Sequence, residues 1–347
     1  MGDQADGAFT YNGGKVEPGE TQNIRYSISE TYLGDPVRVP VTIINGEKPG
    51  PTVFISAAAH GDELNGIEVV RTVAHEWDHT NLQGTLICMP ILNVPGFLAQ
   101  QRYLPIYDRD LNRSFPGSPD STGAKRMAYQ IFTNFIEPCD LGLDFHTSTR
   151  GRTNMIHVRG DMDDSESSRL ARSFGTNVII SSSAPDGSLR GEALKADTPT
   201  ITIEMGEAHR FQRDLIDQAL DGVASVFAEY DMYPAEPVRW PGWRTIIESE
   251  NKTWLRADAG GLVEMHPERG SLVEEGDRIA TISDPFKDEQ TVVEAPFTGL
   301  MVGVLENPVV YPGNPLCHLV ELDEPTRRAY VREQNGNLPM PPEDPAS

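Results

Sequence analysis

The side chains best suited to chemistry in this sequence are two histidines and a glutamate. His60 and Glu63 lie three residues apart, a spacing at which side chains on a helical turn share one face. Catalytic zinc sites commonly combine two histidines with one carboxylate and keep a fourth position open for water, so a further histidine is needed. His146 ends the apolar stretch 141–145 and is the best candidate. Asp144, two residues earlier on the same strand face, is predicted to accept the second ring N–H of His146.

A histidine–glutamate pair of this kind is weak evidence by itself. With 8 histidines and 52 acidic residues, the chain contains such spacings by chance. His146 as a packed core histidine, and His60 as a residue at the start of a helix, are interpretations of about equal weight. The metal hypothesis therefore depends on other motifs.

Two arginines, Arg102 and Arg113, lie in the segment 93–122, whose many helix breakers predict an irregular conformation. Long irregular segments in compact domains are usually functional. A guanidinium group presents a planar fork that matches a carboxylate, and cations are scarce in this chain, with 29 lysines and arginines against 52 acids. The two arginines indicate an anionic ligand. The alternative is that they only neutralise an acidic surface.

Glu204 follows the β-branched stretch 200–203 and is predicted to end a strand. An exposed acid at a strand end needs no function. Beside a bound metal, however, the same carboxylate can take a proton from water, because the metal lowers the pKa of that water.

The elements that position these groups follow from the apolar pattern. Between about residues 36 and 230, short β-branched runs alternate with segments of helical period, which predicts an α/β sheet. Strands are predicted at 38–44, 52–58, 85–92, 141–145, 154–158, 177–180 and 200–203, and helices around 67–77, 127–136 and 212–230. A catalytic domain is predicted over 36–232, with a proline-rich boundary following it.

The remainder of the chain has a different pattern. Residues 242–322 contain short β-type runs separated by Gly, Pro and Asp, which predicts a small all-β domain. Its glycine and proline motifs resemble a biotinyl/lipoyl-type half-barrel, but the central Met-Lys that would carry a swinging-arm cofactor is missing. Residues 1–35 are assigned to an N-terminal segment whose first 20 residues are predicted to be a tail, and 323–347 are predicted to be a second tail.

The composition disfavours two classes of partner, nucleic acids and membranes. A formal net charge of -23 disfavours nucleic acid and anionic membranes, and no apolar run is long enough to cross a bilayer. These features predict a cytoplasmic protein. Because salt screens self-repulsion, so acidic a chain with only six lysines is also predicted to come from a salt-loving host and to gain stability as salt rises. The sequence leaves the oligomeric state open, a homo-oligomer included.

Four motifs occur in the order typical of the succinylglutamate desuccinylase/aspartoacylase family. They are His60-Gly61-Asp62-Glu63, Asp110-Leu111-Asn112-Arg113, Asp144-Phe145-His146-Thr147 and Ile203-Glu204-Met205-Gly206. The chain resembles this family over about residues 36–230. The resemblance implies an α/β, mixed-sheet, zinc carboxypeptidase-like domain followed by a β-rich domain that narrows access to the site.

The resemblance also implies a role for each matching residue. One Zn²⁺ per chain would be held by His60, Glu63 and His146, and Glu204 would be the general base. Arg102 matches the residue that polarises the scissile carbonyl. The residues that match positions holding the substrate are Asn112, Arg113 and, at a looser spacing, Arg190.

The function implied is zinc-dependent hydrolysis of the amide bond of a small N-acyl amino acid, with a succinyl or an acetyl group. Two alternatives stay open at this point. One is a zinc metallocarboxypeptidase that cleaves peptides, and the other is a non-catalytic binding module built on a degenerate enzyme fold.

Overall fold

A mixed β-sheet forms the framework of the computed structural model, which describes residues 7–106, 108–233, 247–286 and 288–334, with side chains as far as residue 332. The strands before residue 233 are β1 (Phe9–Tyr11), β2 (Gly14–Val16), β3 (Thr21–Glu30), β4 (Pro36–Asn45), β5 (Lys48–Ala57), β6 (Gln83–Met89), β7 (Leu141–Ser148), β8 (Arg152–Gly160), β9 (Val178–Ser181) and β10 (Thr200–Glu207). The helices are α1 (Asn65–Glu76), α2 (Val94–Ala99), α3 (Gly123–Phe135), α4 (Ser165–Ser173), α5 (Leu189–Lys195) and α6 (Arg213–Glu229).

The part after residue 246 is built mainly from strands. They are β11 (Ile247–Ser249), β12 (Lys252–Arg256), β13 (Gly261–Met265), β14 (Leu272–Val273), β15 (Arg278–Ser283), β16 (Gln290–Glu294), β17 (Gly299–Leu305), β18 (Val309–Val310) and β19 (Pro315–Glu321). Helix α7 (Glu324–Gln334) follows. Strands β16, β15, β13 and β18 form a separate antiparallel sheet of four.

The large sheet runs in the order β12-β19-β17-β8-β10-β7-β5-β6-β4-β3. Strands β10, β7, β5 and β6 are parallel neighbours, whereas β8 is antiparallel to β10 and β17 is antiparallel to β8. The backbone hydrogen bonds between β8 and β17 therefore join the C-terminal strands to the rest of the sheet.

Helices cover both faces of the central strands, because these strands carry apolar side chains on both faces. In β5, Val53 and Ile55 pack in a cluster with residues of α1, α4 and α6, and Phe54 points to the opposite cluster, which contains residues of α3 and α5. Because both faces of these parallel strands are buried, their sequences are apolar almost throughout.

The pattern of predicted strands is confirmed, with changes at the edges. Each of the seven predicted strands overlaps a strand of the structure, and the three predicted helices correspond to α1, α3 and α6. Helices α4 and α5 were missed because they are short and largely polar on one side. The segment 93–122 was expected to lack helices, but it contains α2 and a 3-10 turn at Leu111–Arg113.

The prediction of two tails is wrong for most of their described residues. Strands β1 and β2 form a hairpin in which Phe9 and Val16 are buried against the core. Helix α7 places Tyr330 in a buried cluster with strands of the C-terminal part. In both places a few apolar residues in a polar context were enough to fix the segment to the core.

The boundary between domains was predicted at 232–242, and residues 234–246 lie outside the described residues. The division into domains 36–232 and 242–322 stays a prediction, as does the likeness to a half-barrel. Every element described between residues 247 and 322 is a strand. In the part of the chain that the structure describes, no helix combines the length and apolarity needed to cross a bilayer.

Candidate metal centre

Strand alternation brings two of the candidate residues together. In β7, Phe145 packs in the core cluster below α1, so its neighbours Asp144 and His146 point to the opposite face. In β10, Ile203 packs in the same core cluster, and Glu204 points away from it. The parallel register pairs Glu204 with His146. The two side chains therefore lie side by side on one face of the sheet.

The turn after β5 contains two further candidate residues, His60 and Glu63. Helix α1 begins only at Asn65, so His60 and Glu63 lie in a turn closed by a hydrogen bond from the Glu63 N–H to the His60 carbonyl (3.2 Å), and not on a helix as the spacing suggested. Gly61 is required in this turn, because a Cβ there would lie 2.1 Å from the carbonyl carbon of Gly96 in α2. Close contact with α2 fixes the turn.

His60, Glu63 and His146 converge on a single point. One potential ligand atom from each lies within 4.8 Å of the others, and all three residues are buried. The Glu63 carboxylate lies between the rings, with Oε1 2.8 Å from Nδ1 of His60 and Oε2 2.9 Å from Nδ1 of His146. Side chains from two segments far apart in sequence, 60–63 and 146, thus meet as the metal hypothesis requires.

Electrostatics favours the charged form of each group. Burial raises the pKa of Glu63, but the two histidines outweigh it and hold that pKa well below its ordinary value. Burial lowers the pKa of His146, yet Asp144 and Glu63 raise it well above its ordinary value. For His60, Glu63 and Asp110 overcome burial, and the pKa is raised. The Glu63 carboxylate is therefore held ionised between two histidines that carry protons unless a cation such as a metal ion displaces them.

The donor set fits a zinc ion. Nδ1 of His60 is buried and makes no hydrogen bond of good geometry among the described residues, although Glu63 Oε1 is 2.8 Å away. Tetrahedral zinc ligands at about 2.0–2.2 Å from the metal lie about 3.3–3.6 Å from one another, and the three candidate ligand atoms lie within 4.8 Å of each other, so small side-chain shifts would bring them to a shared ion. Two imidazoles and one carboxylate also match the donors of catalytic zinc sites.

Both histidines are oriented by carboxylates on their far side. Asp144 Oδ2 lies 2.8 Å from Nε2 of His146, as predicted, and its Oδ1 accepts a hydrogen bond from Ser56. Asp110 Oδ1 lies 3.2 Å from Nε2 of His60. Such carboxylates fix the tautomer and orientation of a ligating imidazole. Asp110 belongs to the motif Asp110-Leu111-Asn112-Arg113, but no local pattern in that segment predicts its contact with His60.

The segment 93–122 contains three further candidate residues, Arg102, Asn112 and Arg113. Arg102 donates to Oε1 of Glu63 at 2.6 Å, so its guanidinium lies directly beside the candidate metal ligands. The Asn112 amide nitrogen is 3.4 Å from Nε2 of His146, and its oxygen accepts from the N–H of Leu189 at the start of α5. Arg113 is exposed and borders the same cavity. All three therefore lie around the candidate metal centre.

Glu204 has two neighbours on β8. The side-chain amide of Asn154 donates to its Oε2 at 3.1 Å, and the Arg159 guanidinium lies 3.5 Å from its Oε1. The Glu204 side chain is only 17% exposed. The carboxylate is thus held at the wall of the cavity and still reaches its interior.

A cavity of about 270 Å³ connects these groups. Seven of the eight candidate residues border it, and Glu63 lies beneath it with a side-chain exposure of 1%. The cavity is also bordered by Arg159, Ser182 and Lys252, which were not predicted from the sequence. The alternation of β8 could have indicated Arg159, because its neighbour Val158 packs in the core cluster and Arg159 must therefore face the other side of the sheet. Nothing local to Lys252 predicts its position.

Arg190 was the least certain candidate, and it does reach the cavity. It is buried, and its guanidinium donates to the carbonyl oxygen (3.0 Å) and the hydroxyl (3.4 Å) of Ser182. Burial lowers its pKa to about 10, helped by the charge of Arg159. Arg190 therefore remains a cation at neutral pH.

Comparisons with known proteins show which family and which relatives this chain is similar to. The model of the succinylglutamate desuccinylase/aspartoacylase catalytic domain matches residues 49–230. N-alpha-acetyl-L-2,4-diaminobutyric acid deacetylase from Halomonas elongata is 28% identical over 274 residues, which cover 74% of this chain and 78% of that protein.

Two solved structures share the fold. The product-bound structure of an ectoine utilization protein from Ruegeria pomeroyi has a TM-score of 0.76 at 22% identity, covering 87% of this chain and 95% of that one. A succinylglutamate desuccinylase/aspartoacylase from Rhodobacter sphaeroides also has a TM-score of 0.76, at 20% identity and the same coverage. Since the catalytic-domain model matches more than half of its residues, the chain belongs to the succinylglutamate desuccinylase/aspartoacylase family.

Proposed function

We propose that this protein is a zinc-dependent deacylase that hydrolyses the amide bond of an N-acyl amino acid. The observation that carries the proposal is the convergence of His60, Glu63 and His146 beside Glu204, which lies opposite His146 in the parallel register of β10 and β7. Family membership and the deacetylase activity named for the Halomonas elongata relative support the same reaction.

His60, Glu63 and His146 would hold one zinc ion per chain. Zinc, when bound, supplies Lewis acidity that lowers the pKa of water from about 15.7 to about 7. Glu204 accepts the proton from the attacking water and later gives it to the departing amine, since its carboxylate reaches the cavity from the neighbouring strand. Arg102 stabilises the negative charge that develops on the scissile carbonyl oxygen.

The substrate carboxylate would be held by the loop that contains the 3-10 turn. Asn112 borders the cavity with its amide nitrogen 3.4 Å from Nε2 of His146, and Arg113 offers a guanidinium at the cavity border. A planar guanidinium can bind a carboxylate through two parallel hydrogen bonds, which fixes the substrate in orientation as well as in place.

The C-terminal part, proposed as a separate domain over 242–322, would restrict access. Lys252 on β12 borders the cavity together with groups of the catalytic part, so this strand contributes a side chain to the wall of the site. A cavity of about 270 Å³ suits a small N-acyl amino acid better than an extended peptide. This wall favours the deacylase over the metallocarboxypeptidase.

The test is the variant Glu204→Gln. It is expected to retain about one zinc per chain and to lose activity on acetyl- and succinyl-amino acids by about 100-fold or more, since one proton-transfer group is removed. Glu207→Gln, later on the same strand, is the control and should keep activity. Full turnover in Glu204→Gln would reassign the base, and zinc content near zero in the wild type would revive the non-catalytic module.

A further inference from the structure

The segment that follows the proposed base folds back over the turn that carries two candidate metal ligands. Strand β10 continues for three residues beyond Glu204, and Gln212 is the N-cap of α6. Between them, the N–H of His209 donates to the carbonyl oxygen of Asp62 at 2.8 Å. A backbone hydrogen bond thus joins the segment after the base to the turn of the metal ligands.

The side chain of Asn65, the first residue of α1, makes a second connection between the same two segments. Asn65 is fully buried, and its Oδ1 accepts from the N–H of Gln212 at 2.9 Å. Its Nδ2 donates to the carbonyl oxygen of Met205 and to Oε1 of Gln212, both at 3.1 Å. An asparagine amide has two N–H donors, and both are used here. Since Met205 directly follows Glu204, this buried amide reaches the backbone next to the base.

The side chain of Gln212 supports a bulge in β10. In the pairing with β7, two residues of β10, Met205 and Gly206, stand opposite one residue of β7. The pairing resumes at Glu207, whose N–H donates to Oε1 of Gln212 at 2.8 Å. Bulges beside active sites commonly direct a neighbouring side chain, and this one begins immediately after Glu204.

Gly206 allows the two amides to approach the bulge. Its φ of 73° lies in the left-handed region that favours glycine. A Cβ at this position would overlap Oε1 of Gln212 and lie 2.7 Å from Nδ2 of Asn65. We call Asn65, Gly206 and Gln212 the amide clasp. A contact that served stability alone could be apolar, whereas hydrogen bonds between amides are directional and specify one geometry of the bulge.

We propose that the amide clasp positions the general base: Asn65 and Gln212 fix the bulge after Glu204 and thereby set the direction of its carboxylate relative to the metal centre. This inference rests on the proposed function for the role of Glu204. Among the described residues that border the cavity, none belongs to the clasp. Asn65 and Gln212 are therefore positioning residues, which act through Glu204 and not on the substrate.

The test compares Gln212→Met with Gln212→Glu. Methionine keeps the length of the side chain and removes the acceptor, while glutamate keeps an oxygen that can accept from the Glu207 N–H and from Asn65. At a temperature well below its thermal midpoint, Gln212→Met is expected to lose about 10- to 100-fold in kcat, with KM changed by less than about twofold. Zinc content should stay at that of the wild type. Gln212→Glu should retain most of the turnover.

Gln130→Met is the matched control. Gln130 is a half-buried glutamine on α3, and its Oε1 accepts from the Tyr26 hydroxyl at 3.3 Å. The substitution removes the same kind of acceptor away from the cavity and should leave kcat unchanged. If Gln212→Met also lowered only the unfolding free energy and kept kcat, the clasp would be purely structural and the proposal would be wrong.

A double-mutant cycle tests whether the clasp acts through Glu204. In the Glu204→Gln background, Gln212→Met should lower the residual kcat by less than about twofold, because the group that the clasp positions is already gone. A further loss as large as in the wild-type background would show that Gln212 acts elsewhere, and would overturn the proposal.

The visible absorption spectrum of the cobalt-substituted protein reports the geometry of the metal ligands independently of turnover. We expect the spectrum of Gln212→Met to match that of the wild type. A changed spectrum would show that the clasp acts on the ligands of the turn 60–63, and would contradict its assignment to the base.

The two proposals fail in different ways. If hydrolysis proceeds and Gln212→Met keeps its kcat, the reaction stands and the clasp is wrong. If no N-acyl amino acid is hydrolysed, the proposed reaction falls, and crystal structures of the wild type and Gln212→Met decide the clasp. A displaced Glu204 carboxylate in the variant would support it, and an unmoved carboxylate would overturn it.

Discussion

The side-chain amide of Asn154 donates a hydrogen bond to Oε2 of Glu204 at 3.1 Å across the antiparallel pair of β8 and β10. Asn154 is buried and touches neither the candidate metal ligands nor the arginines of the loop in any hydrogen bond among the described residues. Its donor is aimed at Oε2 of the proposed base, while the other oxygen, Oε1, lies 3.5 Å from the Arg159 guanidinium. We therefore expect Asn154 to position Glu204.

Replacing Asn154 by leucine removes this donor at similar volume. We expect kcat to fall by about 10- to 100-fold because the base loses its fixed orientation, while KM and zinc content stay close to those of the wild type. Steady-state kinetics on the best substrate, with metal analysis of the same sample, checks this. A change confined to KM would instead place Asn154 in substrate binding.

Gly303 on β17 faces Asn154 across the junction of the two parts of the sheet. A Cβ at this position would lie 2.5 Å from the Asn154 Oδ1 atom, so Gly303→Ala should displace the amide and lower kcat by about 10-fold. Overpacking should also cost about 1–3 kcal/mol of unfolding free energy.

Gly160→Ala is the control for this change, because on β8 its Cβ would meet no atom closer than 3.6 Å. Urea denaturation and kinetics of the two variants separate a local clash from a general effect of alanine. If Gly303→Ala and Gly160→Ala showed the same kcat and the same unfolding free energy, close packing against Asn154 would not explain the effect at Gly303.

His318 links stability to pH. Burial lowers its pKa to about 3, and the charges of Arg159 and Lys252 contribute. The unfolded chain binds a proton at this residue below about pH 6.5, and the folded chain does not until about pH 3. Since the unfolded state then binds more protons, the free energy of unfolding falls as the pH is lowered through this window.

The variant His318→Phe should weaken that dependence. Phenylalanine keeps a ring stacked on Trp254, whose centroid is 4.7 Å away, and removes the titrating group. The slope of the unfolding free energy between pH 5 and 6.5 should fall by up to about 1.4 kcal/mol per pH unit. Urea denaturation at several pH values measures it, and exposed His75→Gln controls for the loss of a histidine. An unchanged slope in His318→Phe would contradict the assignment.

Removal of metal should abolish activity without unfolding the protein. Glu63 accepts hydrogen bonds from Arg102 and from the N–H of Thr147, and it pairs with His146, so its charge is compensated by the protein itself. Chelation should leave the far-UV circular dichroism unchanged at 25 °C and lower the thermal midpoint, and added zinc should restore both midpoint and turnover.

Glu63→Gln should lose the zinc-dependent rise of the midpoint, because a neutral amide is a poor zinc ligand. A wild-type midpoint that does not respond to chelator or to zinc would contradict metal binding at this centre.

Much of the fold could be predicted because β5, β7 and β10 are buried on both faces, and continuous apolar runs identify such strands. The alternation of side chains along a strand also predicted that Asp144 would lie on the same face as His146 and accept its second ring N–H. Two predicted strands were too short, since β7 continues to Ser148 and β10 to Glu207. His146 and Glu204 consequently lie within strands rather than after them.

The parts that escaped prediction depend on pairing between distant segments. Lys252 reaches the cavity only because β12 is joined through two intervening strands to β8, and no local pattern encodes that register. The contact of Asp110 with His60 likewise depends on where a long loop returns to the sheet. Side chains placed by long-range pairing have no periodic signal in the sequence.

The pairing of β17 with β8 also limits how such proteins can be recombined. A chimera that takes its C-terminal strands from a relative would have to preserve both the Gly303–Asn154 alignment and the absence of a side chain at that point. A slip of one residue would turn every side chain of β17 to the opposite face. New specificities would therefore arise more readily by point changes on β12 than by exchange of the whole C-terminal half.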